Sequence, residues 1–155
     1  MADPTPEHVL VPSLGRPGAQ AALTYALESF PDADVTLLSV VTPIDDPLSE
    51  GGVLEHDEDQ LATVRETARE LLERAATDVP SATDRVRIQV LEGKPGVVVP
   101  RYAREEPVDH VVMYGHQPEV SGYVRRLLGR DVTTTVVERT DEPVTVLSSR
   151  AISSR

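Results

Sequence analysis

Met113 to Asp131 is the stretch of this sequence whose residue types and spacing could do chemistry. It holds three glycines, Gly115, Gly122 and Gly129, with His116 near its head and Arg125, Arg126 and Arg130 toward its end. An apolar, β-branched run from Val108 to Met113 leads into it, too short for a helix and read as a strand. A helix signal follows it, with Asp131 as N-cap and Val132, Val136 and Val137 on one face. A glycine-bearing loop between a strand and a helix start is where α/β proteins hold phosphate. Unpaired backbone N–H groups and the helix dipole both point at the ligand there. The chemistry on offer is therefore anion or nucleotide binding.

Other candidate groups are weaker. His56-Asp57-Glu58-Asp59 has the residue types of a metal site, but at a loop-to-helix junction it reads as a cap and a solvated acidic face. His116 has no carboxylate partner identifiable in the sequence and reads as an exposed loop histidine. Arg125 and Arg126 read as surface charges lying over apolar neighbours. There is no Gly-x-Ser-x-Gly elbow and no complete Walker loop, so a nucleophile and a phosphate lysine are both lacking. With no cysteine, thiolate chemistry and disulfides are excluded. No catalytic residue and no metal ligand is assigned.

The elements that must position the loop alternate along the chain. His8 to Pro12 forms a short strand and Ser13 to Gly18 a turn. Ala19, Ala22, Leu23, Ala26, Leu27 and Phe30 fall at helical spacing up to Pro31. Val35 to Val41 is nearly continuously apolar, as in a strand covered on both faces. Thr42 to Glu55 gathers prolines, glycines and acids and reads as a surface loop. Asp57 with Gln60 resembles a capping box opening a second helix. Its buried stripe is Leu61, Val64, Ala68, Leu71, Leu72 and Ala75, with Glu70 and Arg74 paired outside.

Arg85 to Val90 alternates strictly, predicting an edge strand with one wet face. Pro95 opens a third helix running to Glu106, in which Pro100 predicts a kink or a late start. Pro143 to Leu147 is a last strand, and residues 148–155 a frayed tail. Strand–helix alternation repeated five times predicts α/β architecture, an open five-stranded parallel sheet with helices on both faces, in one domain over 1–155.

The chain has 26 acidic against 15 basic residues, net charge -11, and one lysine, Lys94, among the basic ones. Such a balance repels nucleic acid and anionic membrane. Together with the scarcity of aromatics it resembles the surfaces of halophile proteins, whose self-repulsion salt screens. No apolar run is long enough to span a bilayer and no signal-peptide pattern opens the chain, so a cytoplasmic protein is expected.

Four pieces in order resemble the universal stress protein family, of the A type. They are Val9-Leu10-Val11-Pro12 with Gly15 and the Ala22–Leu27 helix; Leu37 to Val41; Val90 to Pro95 with Arg101-Tyr102-Ala103; and Asp109 to Met113 with Gly122, Leu127-Leu128-Gly129 and Glu142-Pro143-Val144. The resemblance implies a Rossmann-like sheet of order 3-2-1-4-5. It implies a homodimer joined along the last strand through Val144, Val146 and Leu147, an apolar edge that invites pairing in any case.

The same resemblance places a nucleotide site at Pro12, Leu14, Val41, Met113, Gly115, Gly122, Gly129, Arg130 and Asp131. Several of those positions depart from the nucleotide-binding pattern. Leu14 stands where the family has an Asp and can accept no hydrogen bond from a ribose hydroxyl. Tyr114 replaces the first loop glycine, or else an insertion displaces Gly115. The second glycine falls within Gln117, Pro118 and Glu119. An Asp131 cap competes with phosphate for the helix N–H groups, and Arg125, Arg126 and Arg130 work the other way. The expectation is a degenerate loop in a non-enzymatic, dimeric stress-response protein with no tightly bound cofactor. The alternative is an ATP-binding member acting as a switch or slow ATPase through a rearranged loop.

Overall fold

The computed structural model describes residues 6–14, 18–42, 53–115 and 132–147, and for 53–57 the backbone alone. In chain order the elements are β1 (His8–Ser13), α1 (Ala19–Ser29), β2 (Asp34–Val41), α2 (Val53–Asp78), the single turn α3 (Ala82–Arg85), β3 (Val86–Glu92), α4 (Pro95–Glu105), β4 (His110–Tyr114), α5 (Val132–Arg139) and β5 (Val144–Leu147). The five strands form one parallel sheet in the order β3-β2-β1-β4-β5, as expected. Strand β2 is buried at every position after Asp34, which is why its sequence is apolar without alternation.

Side chains leave the two faces of this sheet into two separate cores. Val9, Val11, Val35, Leu37 and Val112 meet α1 and α2 through Leu23, Leu27, Ala68 and Ala75. Leu10, Leu38, Val40, Val111 and Met113 meet α4 and α5 through Val98, Val99, Ala103 and Val136. Helices thus cover both faces, with β1 and β4 between them at the centre.

Several sequence expectations need correction. Helix α2 begins at Val53, so Asp57 lies inside it and the Asp57–Gln60 pattern is not its start. No Pro or Gly lies between Val53 and Asp57 to halt the backbone there. Glu70 and Arg74 do not pair; Arg69 and Glu66 do, at 3.7 Å. Arg85 ends α3 rather than opening β3. Strand β3 does lie at an edge, but it lacks one wet face: Arg87 and Glu92 are exposed and Ile88 to Leu91 half-buried. Helix α4 starts at Pro95 with Pro100 buried inside it, so no late start occurs. Strand β4 begins at His110, leaving Val108 buried and Asp109 exposed ahead of it. Val137 is 45% exposed, off the buried stripe that holds Val136. The loop at 43–52, the stretch at 116–131 and the tail from 148 fall outside the described residues.

Candidate functional site

The order of the sheet reverses between β1 and β4, and in open α/β sheets the crevice beyond the carboxyl ends of two such strands is where ligands bind. Val9 lies beside His110 and Leu10 beside Val111. Beyond these pairs β1 runs on through Pro12 to Ser13 and β4 through Met113 to Tyr114, with Leu14 and Gly115 following at the mouth. The structure therefore brings Pro12, Leu14, Met113 and Gly115 together at one end, with Val41 at the end of neighbouring β2. Gly122, Gly129, Arg130 and Asp131, with Arg125, Arg126 and His116, lie outside the described residues.

Among the described residues, packing engages the groups that line this mouth. Leu14 is half-buried against the α4–α5 core that contains Leu10, Leu38 and Met113. The Gly115 N–H donates to the Leu147 carbonyl at 2.7 Å, prolonging the β4–β5 ladder by one residue. A Cβ on Gly115 would stand 2.5 Å from a Val146 methyl and 3.3 Å from a Thr133 methyl, so close strand–helix packing accounts for this glycine. Val41 is buried, and its carbonyl accepts from the Gly93 N–H at 2.9 Å.

On the α1 side, the ring of Tyr114 lies over Gly18. Gly18 has φ +109, and a Cβ there would come within 2.3 Å of the ring. Both the conformation and the space require glycine. Tyr114 thus closes the crevice toward the start of α1.

A second concavity, of about 510 Å³, opens at the opposite edge, where the strands begin. Its polar lining is largely committed to the fold. His8 contacts Thr36 Oγ1 through Nε2 at 2.7 Å and the Pro107 carbonyl through Nδ1 at 3.1 Å. Because a carbonyl only accepts, Nδ1 carries the proton, and in the neutral ring Nε2 accepts from the Thr36 hydroxyl. The Asp109 carboxylate accepts from the Glu7 and His8 backbone N–H groups at 2.9 and 3.0 Å. The Arg85 guanidinium donates to the carbonyls of Leu27, Phe30 and Ala33, which end and follow α1.

His110 repeats the His8 arrangement on β4. Its Nε2 lies 2.7 Å from Thr145 Oγ1 on β5, and its ring stands 4.9 Å from that of Phe30. Burial holds its pKa below the ordinary histidine value. Among the described residues no three His, Asp or Glu side chains are grouped to hold a metal ion. None of the described helices is long and apolar enough to cross a membrane. One signal for these His–Thr contacts is visible in the sequence. Glu7-His8-Val9-Leu10-Val11 and Asp109-His110-Val111-Val112-Met113 open two central strands in the same way.

The profile of the universal stress protein family matches residues 6–148. The chain belongs to that family. Among solved structures, it is similar to the universal stress protein UspA from Lactobacillus plantarum, at 22% identity and a TM-score of 0.70 over 91% of this chain and 97% of that one. A universal stress protein solved in complex with cAMP is similar at 18% identity and 0.65, over 93% and 98%. One from Arabidopsis thaliana, solved with AMP bound, gives 17% and 0.55 over 92% of each chain. No curated protein matches the sequence. At these identities the likeness establishes the shared fold, which the 3-2-1-4-5 sheet had already indicated.

Proposed function

We propose that this universal stress protein acts as a non-enzymatic, homodimeric stress-response protein of the cytoplasm whose crevice holds ATP weakly or not at all. The observation that carries the reading is the use of the crevice's own groups for packing. The Gly115 N–H is bonded to the Leu147 carbonyl, and Leu14 is half-buried against the core. Pro12, Met113 and Val41 add only buried apolar surface. A ribose hydroxyl would meet no acceptor from Leu14, and a phosphate would find the Gly115 amide already engaged. Hydrogen bonds to charged groups contribute ~1.5–3 kcal/mol each, so two absent ones weaken binding by a factor on the order of 10² or more.

Calorimetry with Mg-ATP in molar potassium chloride tests this directly. Little or no heat of binding is expected, and a dissociation constant in the low micromolar range overturns the reading. Leu14→Asp combined with Asp131→Ser should restore affinity where side chains alone are at fault.

The second reading, a nucleotide-binding switch or slow ATPase, is favoured by the relatives solved with cAMP and with AMP. Nucleotide released from freshly purified protein in a native mass spectrum would support it.

Supporting the homodimer is the outer edge of β5, where Val146 is 41% exposed and Val144 and Leu147 are half-buried. Val146 and Thr133 of α5 both pack about Gly115, and Val137, exposed, sits one helical turn beyond Thr133. An apolar strip of this kind, on an edge that no described strand pairs with, favours strand pairing. Light scattering should report twice the 16.8 kDa of one chain. Val146→Lys should shift the protein toward monomer, and a mass that the substitution leaves unchanged removes this edge as the interface.

A further inference from the structure

The opposite edge of the sheet carries a different set of groups. Strand β3 pairs along its whole length with β2, from Val35 beside Val86 to Val41 beside Glu92, and among the described residues no strand pairs with its other side. The Gly93 N–H points at Val41. Alternation along the strand then turns the backbone groups of Leu91, Gln89 and Arg87 toward β2, and those of Ile88 and Val90 to the open side. Above these two residues lies a groove of about 320 Å³ lined by Ile88, Gln89, Val90, Arg65 and Arg69.

The two arginines are exposed and stand four residues apart on α2. Arg69 shares its charge with Glu66 through a contact at 3.7 Å in which both side chains are more than half exposed, so it remains open to exchange. Arg65 has no ion-pair partner among the described residues. On a chain of net charge -11, a basic pair above an open strand edge is a local reversal of sign. Their spacing also has a counterpart. Four residues of helix advance about 6 Å, and alternate side chains on one face of a strand stand about 6.6 Å apart.

We propose that the open edge of β3 beneath Arg65 and Arg69 takes up an extended segment of a partner protein bearing carboxylates at alternate positions, added as a sixth strand. The backbone groups of Ile88 and Val90 supply the ladder, and the arginines read the two carboxylates. A second copy of this chain suits the edge less well. Pairing across a two-fold axis perpendicular to the sheet sets the arginines of both α2 helices side by side.

The probe is the blocked peptide Thr-Glu-Val-Glu-Thr, titrated to millimolar concentration at low salt into 15N-labelled protein, with Thr-Lys-Val-Lys-Thr as control. The glutamate peptide should shift the Ile88 and Val90 amide signals and the lysine peptide should not. Arg65→Glu with Arg69→Glu should weaken binding by about tenfold or more. Arg65→Gln with Arg69→Gln replaces that variant where charge reversal disturbs the circular dichroism spectrum. No shift at these amides overturns the proposal, as does an equal response to both peptides or an affinity that the variants leave unchanged. Shifts at β3 that grow with protein concentration alone would assign the edge to a second copy and overturn it too.

Discussion

Gly115 and Val146 touch so closely that a single added methyl on the glycine would stand 2.5 Å from the valine's. This contact ties the mouth of the crevice to the outer strand, because Gly115 also donates its N–H to Leu147 next along β5. The first described residue of the glycine-bearing loop therefore belongs to the sheet. The space left by its missing side chain serves β5 and α5, and its N–H is already engaged by β5.

Gly115→Ala should cost about 1 kcal/mol, at the low end for overpacking, because exposed Val146 can turn away. Gly18→Ala should cost about 3 kcal/mol or more, since a positive φ and the Tyr114 ring act together there. Urea unfolding of both variants checks the order. Gly115→Ala with Val146→Ala should be more stable than the two single losses added together, and strict additivity would remove the contact from the account.

Arg85 marks the limit of what the sequence makes legible. The order of strands and helices could be read from apolar runs and helical spacing, because those patterns are local. Arg85 and Arg87 look alike in an alternating stretch, yet Arg85 turns inward to Leu27, Phe30 and Ala33 while Arg87 stays exposed. Its partners lie more than fifty residues away, at the end of α1, where helix carbonyls lack intrahelical donors. The crevice was legible as an address from the strand–loop–helix order. That Gly115 and Leu14 serve packing there could not be read, since both contacts depend on how β5 and α5 close over β4.

Arg85→Ala should accordingly lower stability by roughly 2–3 kcal/mol, the scale of losing charge-assisted hydrogen bonds that satisfy several carbonyls at once. Arg85→Lys should recover only a part, because an ammonium cannot span three carbonyls as the guanidinium fork does. Denaturant midpoints of the two variants give the comparison. A loss under about 0.5 kcal/mol for the alanine variant, the level of ordinary surface changes, would mean the three bonds add nothing net.

His110 supplies a pH dependence whose sign follows from its burial. Burial holds its pKa in the fold below the ordinary histidine value, near 6.5, that an unfolded chain would show. On acidification the unfolded state takes up the proton first, so this residue's contribution is fully present above pH 6.5. It declines below that, down to the point where the folded ring also protonates. Melting temperatures measured from pH 8 to pH 5 should fall over this window, and His110→Gln, which keeps a polar reach to Thr145, should remove that component. An identical slope in the variant would assign the acid sensitivity to other groups.

Salt should act in the opposite direction to acid. Glu58, Asp59, Glu66, Glu70, Glu73 and Asp78 are all exposed along α2, and the Arg69–Glu66 contact is itself solvent-facing. Repulsion among such carboxylates, on a chain of net charge -11, is relieved as the Debye length falls from about 10 Å at 0.1 M salt to about 3 Å at 1 M. The melting temperature should therefore rise by several degrees between low salt and molar potassium chloride. Sodium and potassium chloride should act alike where the cause is screening. Replacing Glu66, Glu70 and Glu73 together by Gln should raise the low-salt value and shrink the salt response. A melting temperature that stays flat across the series would mean that the acidic surface is merely tolerated, and would withdraw the likeness to halophile proteins.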